Sequence, residues 1–429
     1  MPTSITTNNT QCTTAGDGLI AFLLLTYPAL ALLFDGAASA LMIAAAVLSL
    51  GALLAKRPSN PARLDGLGLA FCIALAAPLA AVALSTLAHG NPTFAVWDSP
   101  SRFLFVIPVF LALRRASMRP LAWADLAFPI GALATLFIAL FLSRDWSNGE
   151  HRTGSLFLDP IHFGDLALAF GVLSAMALNW WRKDKAWMVA LKITGLVAGL
   201  AASLLSGSRG GWVALPFVLA IVLWKRGRGK SLRWKVLTPL VVVALFGIAY
   251  GASSTVRDRA DVTVSNLTQY QHGHEDTSVG VRLQLYKAAL DLFQEHPVLG
   301  LGGHGFHDAM KSMAQQGKLT PLAADLGKGE VHNQLLAYMA DYGIVGGLAL
   351  LAIYLVPALF FARLLNSSSA AARGAAMLGL LFVVMFFVFG LTVETFDLKS
   401  PVSIYALIVA ALAAIADRAH HGAPNASAF

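Results

Sequence analysis

Apolar residues run along this chain in unbroken stretches, and the polar residues collect between them. Twelve stretches stand out, at about residues 19–34, 37–55, 66–88, 102–116, 121–142, 161–181, 187–206, 210–225, 235–252, 344–363, 374–393 and 401–417. A hydrocarbon core ~30 Å thick takes about 20 helical residues to cross, and lipid accepts only helices or closed barrels as spanning elements. Barrel strands alternate apolar and polar positions; these runs do not. The pattern therefore predicts an all-α polytopic membrane protein with about 12 transmembrane helices. The longest interruption, residues 252–343, separates the ninth stretch from the tenth. Inside it Val281, Leu285, Ala288, Ala289, Leu292 and Phe293 fall at helical spacing. That helix is predicted to stop at His296-Pro297 and a glycine-rich turn over 300–305. A second helix is predicted from near His332 to Gly343, leading into the tenth span. The organisation is then 1–251 with nine spans, 252–343 as one large helical loop, and 344–429 with three spans and a tail.

Composition sharpens this picture. The chain is 57% hydrophobic and 13% charged, about half the ~25% charge of a soluble domain. Its mean hydropathy is +0.67. A soluble enzyme, a disordered chain and a disulfide scaffold are all excluded. Of the two cysteines, Cys72 lies inside an apolar stretch as a small core residue and Cys12 in a polar tail. No basic segment of the signal-peptide kind precedes the first stretch, so that stretch is expected to remain as a helix.

The few charges are segregated. Alternate loops, among them those with Lys56, Arg57 and Arg63 and with Lys225 to Lys235, carry eighteen Lys and Arg. The short loops of the other side carry five: Arg102, Arg144, Arg152, Arg209 and Lys399. The positive-inside rule puts the eighteen in the cytoplasm together with both termini, and the 252–343 loop outside. The net charge of +8 is thus a topology signal and does not point to nucleic acid.

This orientation puts the unusual polar residues on the outer face. Arg209, in Ser206-Gly-Ser-Arg-Gly-Gly211, sits at the outer membrane boundary, where ionisable residues are costly and commonly functional. Its Gly and Ser neighbours offer backbone N–H groups to an anion. A snorkelling Arg at a helix end is the plainer alternative. Arg282 opens the amphipathic helix of the large loop, a position that an ordinary solvated Arg also takes. His332, in Glu330-Val-His-Asn333, starts a helix that approaches the membrane from outside. Its imidazole suits proton transfer near neutral pH, and a helix-end His is the alternative. Arg152, Glu394 and Asp397 face the same side; the two acids can orient an Arg or His, or form a surface cluster with Lys399. His304, His307 and Asp308 follow a glycine turn, and His151 and His162 lie on another outer loop. Three or four ligands in fixed geometry are needed for a metal, so no metal site is assigned.

In order along the chain, Val281-Arg282 through Ala288-Ala289, His296-Pro297 with Gly300 and Gly302, His332-Asn333 with Leu335, and Tyr342-Gly343 with Gly346 resemble the signature of the O-antigen ligase/polymerase family. Its members are polytopic glycosyltransferases with one large periplasmic loop. The resemblance covers roughly residues 150–400. It implies a GT-C-like fold in a Gram-negative inner membrane, with the active site facing the periplasm. It also implies an undecaprenyl-diphosphate-linked O-antigen as donor, lipid A–core as acceptor, membrane lipids as surroundings, and an inverting, metal-independent transfer without cofactor. Arg209 and Arg282 match family positions that meet the diphosphate, and His332 matches the general base. Arg152, in a motif that runs to Asp159-Pro160, joins Asn333, Glu394 and Asp397 as substrate-binding residues. The single large loop and the short end after the last span fit a ligase. An O-antigen polymerase and an O-linked protein oligosaccharyltransferase are the alternatives within the family. A transporter or flippase is the alternative outside it, but would gather ionisable residues at the midplane in two related halves.

The orientation is open to a direct check. In a cysteine-free background, a membrane-impermeant maleimide added to spheroplasts should label Lys311→Cys and spare Lys230→Cys. The opposite labelling would overturn it.

Overall fold

The computed structural model describes residues 15–55, 64–90, 95–146, 152–227 and 275–422, with isolated positions between 265 and 272. The first helices are α1 (Ala15–Leu33), α2 (Ala37–Leu54), α3 (Gly66–His89) and α4 (Ala95–Leu113). A short α5 (Met118–Leu121) leads through a 3-10 turn into α6 (Ala127–Phe137), which runs on as a π turn to Leu142. Two two-residue strands, β1 (Arg144–Asp145) and β2 (Thr153–Gly154), pair antiparallel as a hairpin. Then come α7 (Pro160–Met176), α8 (Ala186–Leu205) and α9 (Ala214–Gly227). After the undescribed stretch, α10 (Ser278–Glu295), α11 (Gly305–Gln315) and α12 (Pro321–Gly327) lie outside the bundle sequence. The chain finishes with α13 (Gln334–Leu364), α14 (Ala370–Gly390) and α15 (Lys399–His421).

Among the described residues nine helices are long and apolar enough to cross a membrane, and Pro160–Met176 and Gly210–Lys225 are shorter apolar helices. The predicted span at 235–252 lies outside the described residues, as do His151 and the first part of the large loop. The helix ends follow local chemistry. Asp65 accepts from the Gly68 N–H at 2.7 Å to open α3, and Gly90 closes it in the left-handed region at φ 67. Asp159 caps α7 with Pro160 at its first position.

The innermost helix is α15. Of its apolar window 94% is buried, against 22% for α2, and a helix apolar all round belongs in the centre. Tyr405 on α15 packs against Phe382 and Phe386 of α14 and against Tyr354 of α13. Three cations held inside the bundle are paired. Arg102 bonds Asp98 at 2.5 Å, Ser403 at 3.1 Å and Ser39 at 3.2 Å, tying α4 to α15 and α2. Arg114 meets Asp417 at 2.5 Å. Lys192, fully buried in α8, reaches Asp125 at 2.7 Å, Asp184 at 2.9 Å and the Ala177 carbonyl at 2.8 Å. Lys192 joins α8 to two loops at the end predicted to be cytoplasmic.

On the opposite end, α10, α11 and α12 form a cap with its own core. Val281, Leu285, Ala288, Ala289 and Leu292 of α10 bury against Phe306, Met310 and Ala323, as their helical spacing predicts. The cap joins the bundle where α13 breaks. Gly343 adopts φ 62 inside that helix, and the turn 297–302 lies alongside. Ile344 N–H donates to the Pro297 carbonyl at 2.8 Å, Gly302 N–H to the Asp341 carbonyl at 2.8 Å, and Leu301 N–H to the Ala340 carbonyl at 3.1 Å. A Cβ on Gly300 would collide with Asp341, and one on Gly343 with Val298. The two glycine motifs are thus halves of one joint, in which backbone lies against backbone. Ser85 of α3 secures it by donating to the Leu299 carbonyl at 2.8 Å.

Removing Lys192 would strand two carboxylates with no solvent access. Lys192→Met should lower stability by about 3–5 kcal/mol, the usual cost of breaking a buried ion pair from one side. Lys192→Met combined with Asp125→Leu and Asp184→Leu should recover part of that loss. Denaturant unfolding in detergent micelles measures both; a single variant as stable as wild type would show that the pairs hold nothing.

Candidate functional site at the outer end of the bundle

The segment that organises this end is the loop 391–397 between α14 and α15. Its anchor is Phe396, which is 1% exposed. The Phe396 ring meets Phe103 edge-on at 5.2 Å, stacks on Tyr354 at 5.4 Å and touches Tyr405 at 5.0 Å. Its N–H donates to Gln334 Oε1 at 2.6 Å. An apolar side chain in the bundle core thus fixes a polar loop at the membrane boundary.

Above that anchor, two glutamates tie this loop to the turn before α13. The Glu394 carboxylate accepts from the Val331 N–H, and the Glu394 N–H donates to Glu330 Oε2 at 3.2 Å. The other oxygen of Glu330 lies 2.7 Å from His332 Nδ1. His332 itself stands in the left-handed region at φ 60, an uncommon and costly conformation for a side chain with a Cβ. Its neighbours hold it there. The Tyr286 hydroxyl of α10 donates to the His332 carbonyl at 3.0 Å and the Leu391 carbonyl at 3.3 Å. Asn333 Oδ1 caps α13 by accepting from Leu335 and Leu336 at 3.0 and 3.1 Å, and Nδ2 donates to the Leu391 carbonyl at 3.5 Å. Both ends of the Asn333 side chain are therefore engaged with backbone.

The arginines reach this end on three separate segments. Arg282 is half-buried on α10, one turn before Tyr286, and its charge acts on the Tyr286 phenol. Arg209 is exposed at the start of the 3-10 turn Gly210–Val213. That turn packs close: a Cβ on Gly210 would lie 2.6 Å from Thr392 Oγ1, and one on Gly211 would collide with Asp165 of α7. Arg152, just before β2, passes over Gly207, with its Cγ 3.6 Å from where a Cβ there would stand. The amides of Gly207 and Ser208 are used inside the turn, by the Leu204 carbonyl and Ser206 Oγ, so those two N–H groups are not offered to a ligand.

Asp397 is exposed at the end of the loop, where its carbonyl accepts from Ser99 Oγ at 3.0 Å. Lys399 does not cluster with Glu394 or Asp397; it pairs with Asp98 at 3.0 Å. His304 caps α11 in the left-handed region, and His307 pairs with Asp308 at 2.8 Å on the surface. Among the described residues no three His, Cys, Asp or Glu side chains gather into a group that could hold a metal ion. A shallow apolar groove lined by Leu335, Leu350, Leu351, Tyr354, Phe387 and Leu391 runs between α13 and α14 beside Gln334.

The two glutamates differ in charge state. Burial pushes the Glu330 carboxyl up, but His332 beside it, His162 and the Glu394 N–H outweigh burial and hold it below the ordinary glutamate range. Glu394 moves the other way. Burial raises it well above that range, the Val331 N–H opposes, and Asp397, Glu330 and Asp341 raise it further. A carboxylate that stays ionised beside His332 therefore sits next to one that readily keeps its proton.

Residues 194–351 match the family model described as O-antigen ligase. Over that stretch the chain is similar to the O-antigen ligase family. The matched stretch contains Arg209, Arg282, Glu330, His332 and Asn333, while Arg152, Glu394 and Asp397 lie outside it. A Haemophilus influenzae protein described only as uncharacterized is 27% identical over 298 residues, which cover 67% of this chain and 71% of its own length. The matched stretch spans the cap, its glycine joint and the turn that carries Arg209.

Sequence reasoning did not single out Glu330, Tyr286 or Phe396 as parts of this end, and it placed His162 on an outer loop without its partners Asp159 and Glu394. Glu330 had one signal, its place two residues before His332. The partners of Tyr286 and Phe396 are backbone groups distant in sequence, which leave no local pattern.

The depressed Glu330 pKa predicts the sign of a pH effect. A carboxyl whose folded pKa is lowered adds stability above its unfolded pKa, and that stability is lost as pH falls through the folded value. Glu330→Gln should therefore melt below wild type at neutral pH, with the gap closing on acidification below about pH 4. A gap that stays constant with pH would contradict this assignment.

Proposed function

We propose that this protein is an O-antigen ligase. In this reading it transfers a finished polysaccharide from undecaprenyl diphosphate to lipid A–core on the periplasmic side of a Gram-negative inner membrane. The matched family carries glycosyltransferase-type ligase activity in general. The observation that supports the finer reading is the arrangement at the outer end. Arg209, Arg282 and Arg152 come to one end of a membrane bundle on different segments, and His332 stands among them against the Glu330 carboxylate.

That arrangement suits displacement at an anomeric carbon. Negative charge grows on the departing diphosphate, so fixed cations aimed at it lower the barrier most. A guanidinium holds phosphate oxygens in pairs and stays protonated, and Arg209 and Arg282 take this role, with Arg152 beside them. His332 takes the proton from the acceptor hydroxyl. The Glu330 carboxylate stands beside this ring, with Oε1 2.7 Å from Nδ1. Attack opposite the leaving diphosphate inverts the anomeric centre. The donor's own diphosphate linkage supplies the free energy. Asp397 and Glu394 stand at the edge where sugar hydroxyls would lie, and Asn333 shapes the same edge from its cap position.

Arg209→Ala and Arg282→Ala should each lower the ligation rate about 10²–10³-fold, as loss of one charge-stabilising donor does. His332→Ala should lower it about 10²–10⁴-fold. All three should still reach the membrane, and EDTA should leave the wild-type rate unchanged. Near-normal ligation by His332→Ala would remove the base assignment. In a deletion strain, core without any O-antigen, with polymer kept on the carrier lipid, fits a ligase. A single repeat unit on core would make the protein a polymerase instead.

A further inference from the structure

His162 stands in the first turn of α7 and is 6% exposed. Its Nδ1 lies 2.5 Å from Asp159 Oδ2, and its Nε2 lies 3.2 Å from the backbone carbonyl of Glu394. Both partners are acceptors. A neutral imidazole has one N–H and one lone pair, so it can satisfy one of these oxygens and must turn its lone pair on the other. Only the imidazolium donates to both. Asp159 is well placed to hold that charge, since its other oxygen is fixed by the N–H groups of Ile161 and His162 at 2.9 and 3.3 Å.

The Glu394 carbonyl is a consequential place to hold. The same residue accepts from the Val331 N–H through its side chain and gives its own N–H to Glu330, so it holds the two residues immediately before His332. We propose that His162 is a positioning residue, a fixed imidazolium that latches α7 to the Glu394 carbonyl and so sets the His332 turn for glycosyl transfer. The proposal rests on the ligase reading for its catalytic consequence, and the latch itself does not. The titratable groups around His162 are Asp159 at the cap of α7, Asp165 on α7, Glu330 from the turn before α13 and Asp397 from the loop 391–397, which also contributes the Glu394 carbonyl. Arg209 lies on the turn that packs against Gly164. Deprotonating His162 breaks one of its two bonds, so the latch is closed at neutral pH and opens as pH rises.

Asp159→Asn keeps the shape and the helix cap but removes the charge that stabilises the imidazolium. The test uses the full-length protein in liposomes, with undecaprenyl-diphosphate-linked glycan and lipid A–core, from pH 6 to pH 10. Relative to wild type, the alkaline fall in kcat should set in about one pH unit lower or more, with KM for the donor unchanged. The alkaline fall in melting temperature should move in the same direction. If both profiles superimpose on wild type, the latch is wrong. If the melting profile moves and the kcat profile does not, the latch exists but positions nothing. If Asp159→Asn is inactive throughout, the melting profile still decides the latch, and Asp159→Glu, which restores the charge, should then recover activity. Failure of the wild type to ligate would defeat the ligase reading alone, because the melting profile does not depend on it.

Discussion

Two glutamates, Glu330 bonded to the Glu394 N–H and Glu394 bonded to the Val331 N–H, join the cap end of the bundle together. A loop at a membrane boundary has little water with which to satisfy its peptide groups, so its N–H and carbonyl groups need partners inside the protein. In the loop 391–397 nearly every peptide group near the site has one. Leu391 accepts from Tyr286, Glu394 serves Val331, Glu330 and His162, and Phe396 donates to Gln334. The cap, the turn before α13 and the start of α7 all attach to the bundle through these few residues. The left-handed backbone of His332 is a consequence, since its neighbours on both sides are already committed.

The same economy governs charge inside the bundle. Lys192, Arg102 and Arg114 each meet a carboxylate at 3 Å or less. Lys192–Asp125 and Arg114–Asp417 join segments far apart in sequence, while Arg102 pairs with Asp98 on its own helix and reaches Ser403 and Ser39 on two others. An unpaired charge there would be expensive. A paired one is roughly neutral in energy and specific in geometry. The Arg102 and Arg114 contacts fix register against α15, and Lys192 ties α8 to two loops. The arginines of the cap end lie on separate segments: Arg152 before β2, Arg209 at the turn before α9 and Arg282 on α10.

Much of this fold was legible in the sequence because lipid imposes a one-dimensional code. Apart from 235–252, which lies outside the described residues, the apolar stretches became helices, most within a few residues of their predicted bounds although the fourth already starts at Ala95; Val281, Leu285, Ala288 and Leu292 formed the core of the cap as their spacing required. The glycine motifs were legible as punctuation but not as a joint. Nothing local says that Gly300 must lie against Asp341 and Gly343 against Val298, because the constraint exists only once the two segments meet. The site was half legible for the same reason. Arg209 and His332 stood out through scarcity of charge and through chemistry. Glu330 and His162 matter through pairings that only the folded chain reveals. The reading of Glu394 and Asp397 with Lys399 failed on geometry, since Lys399 turns to Asp98 on α4.

The division of labour among the charged groups has a consequence for how the site would meet its donor. The acidic groups, Glu330 and Glu394, are tied into backbone and fix the position of His332 before any substrate arrives. Arg152, Arg209 and Arg282 belong to three segments: the β-hairpin, the turn before α9 and the first helix of the cap. On the proposed reading, a diphosphate that engages all three bridges the cap to the bundle, so donor binding and assembly of the cationic site become one event. The base, by contrast, is set beforehand. An enzyme built this way spends donor binding energy on ordering the cations that later face the leaving group, which is where interactions made in the transition state accelerate the reaction most. That places the tolerance for substitution on the acceptor side, where Asp397 is exposed and the loop edge is open, and the strictest demand on the arginines.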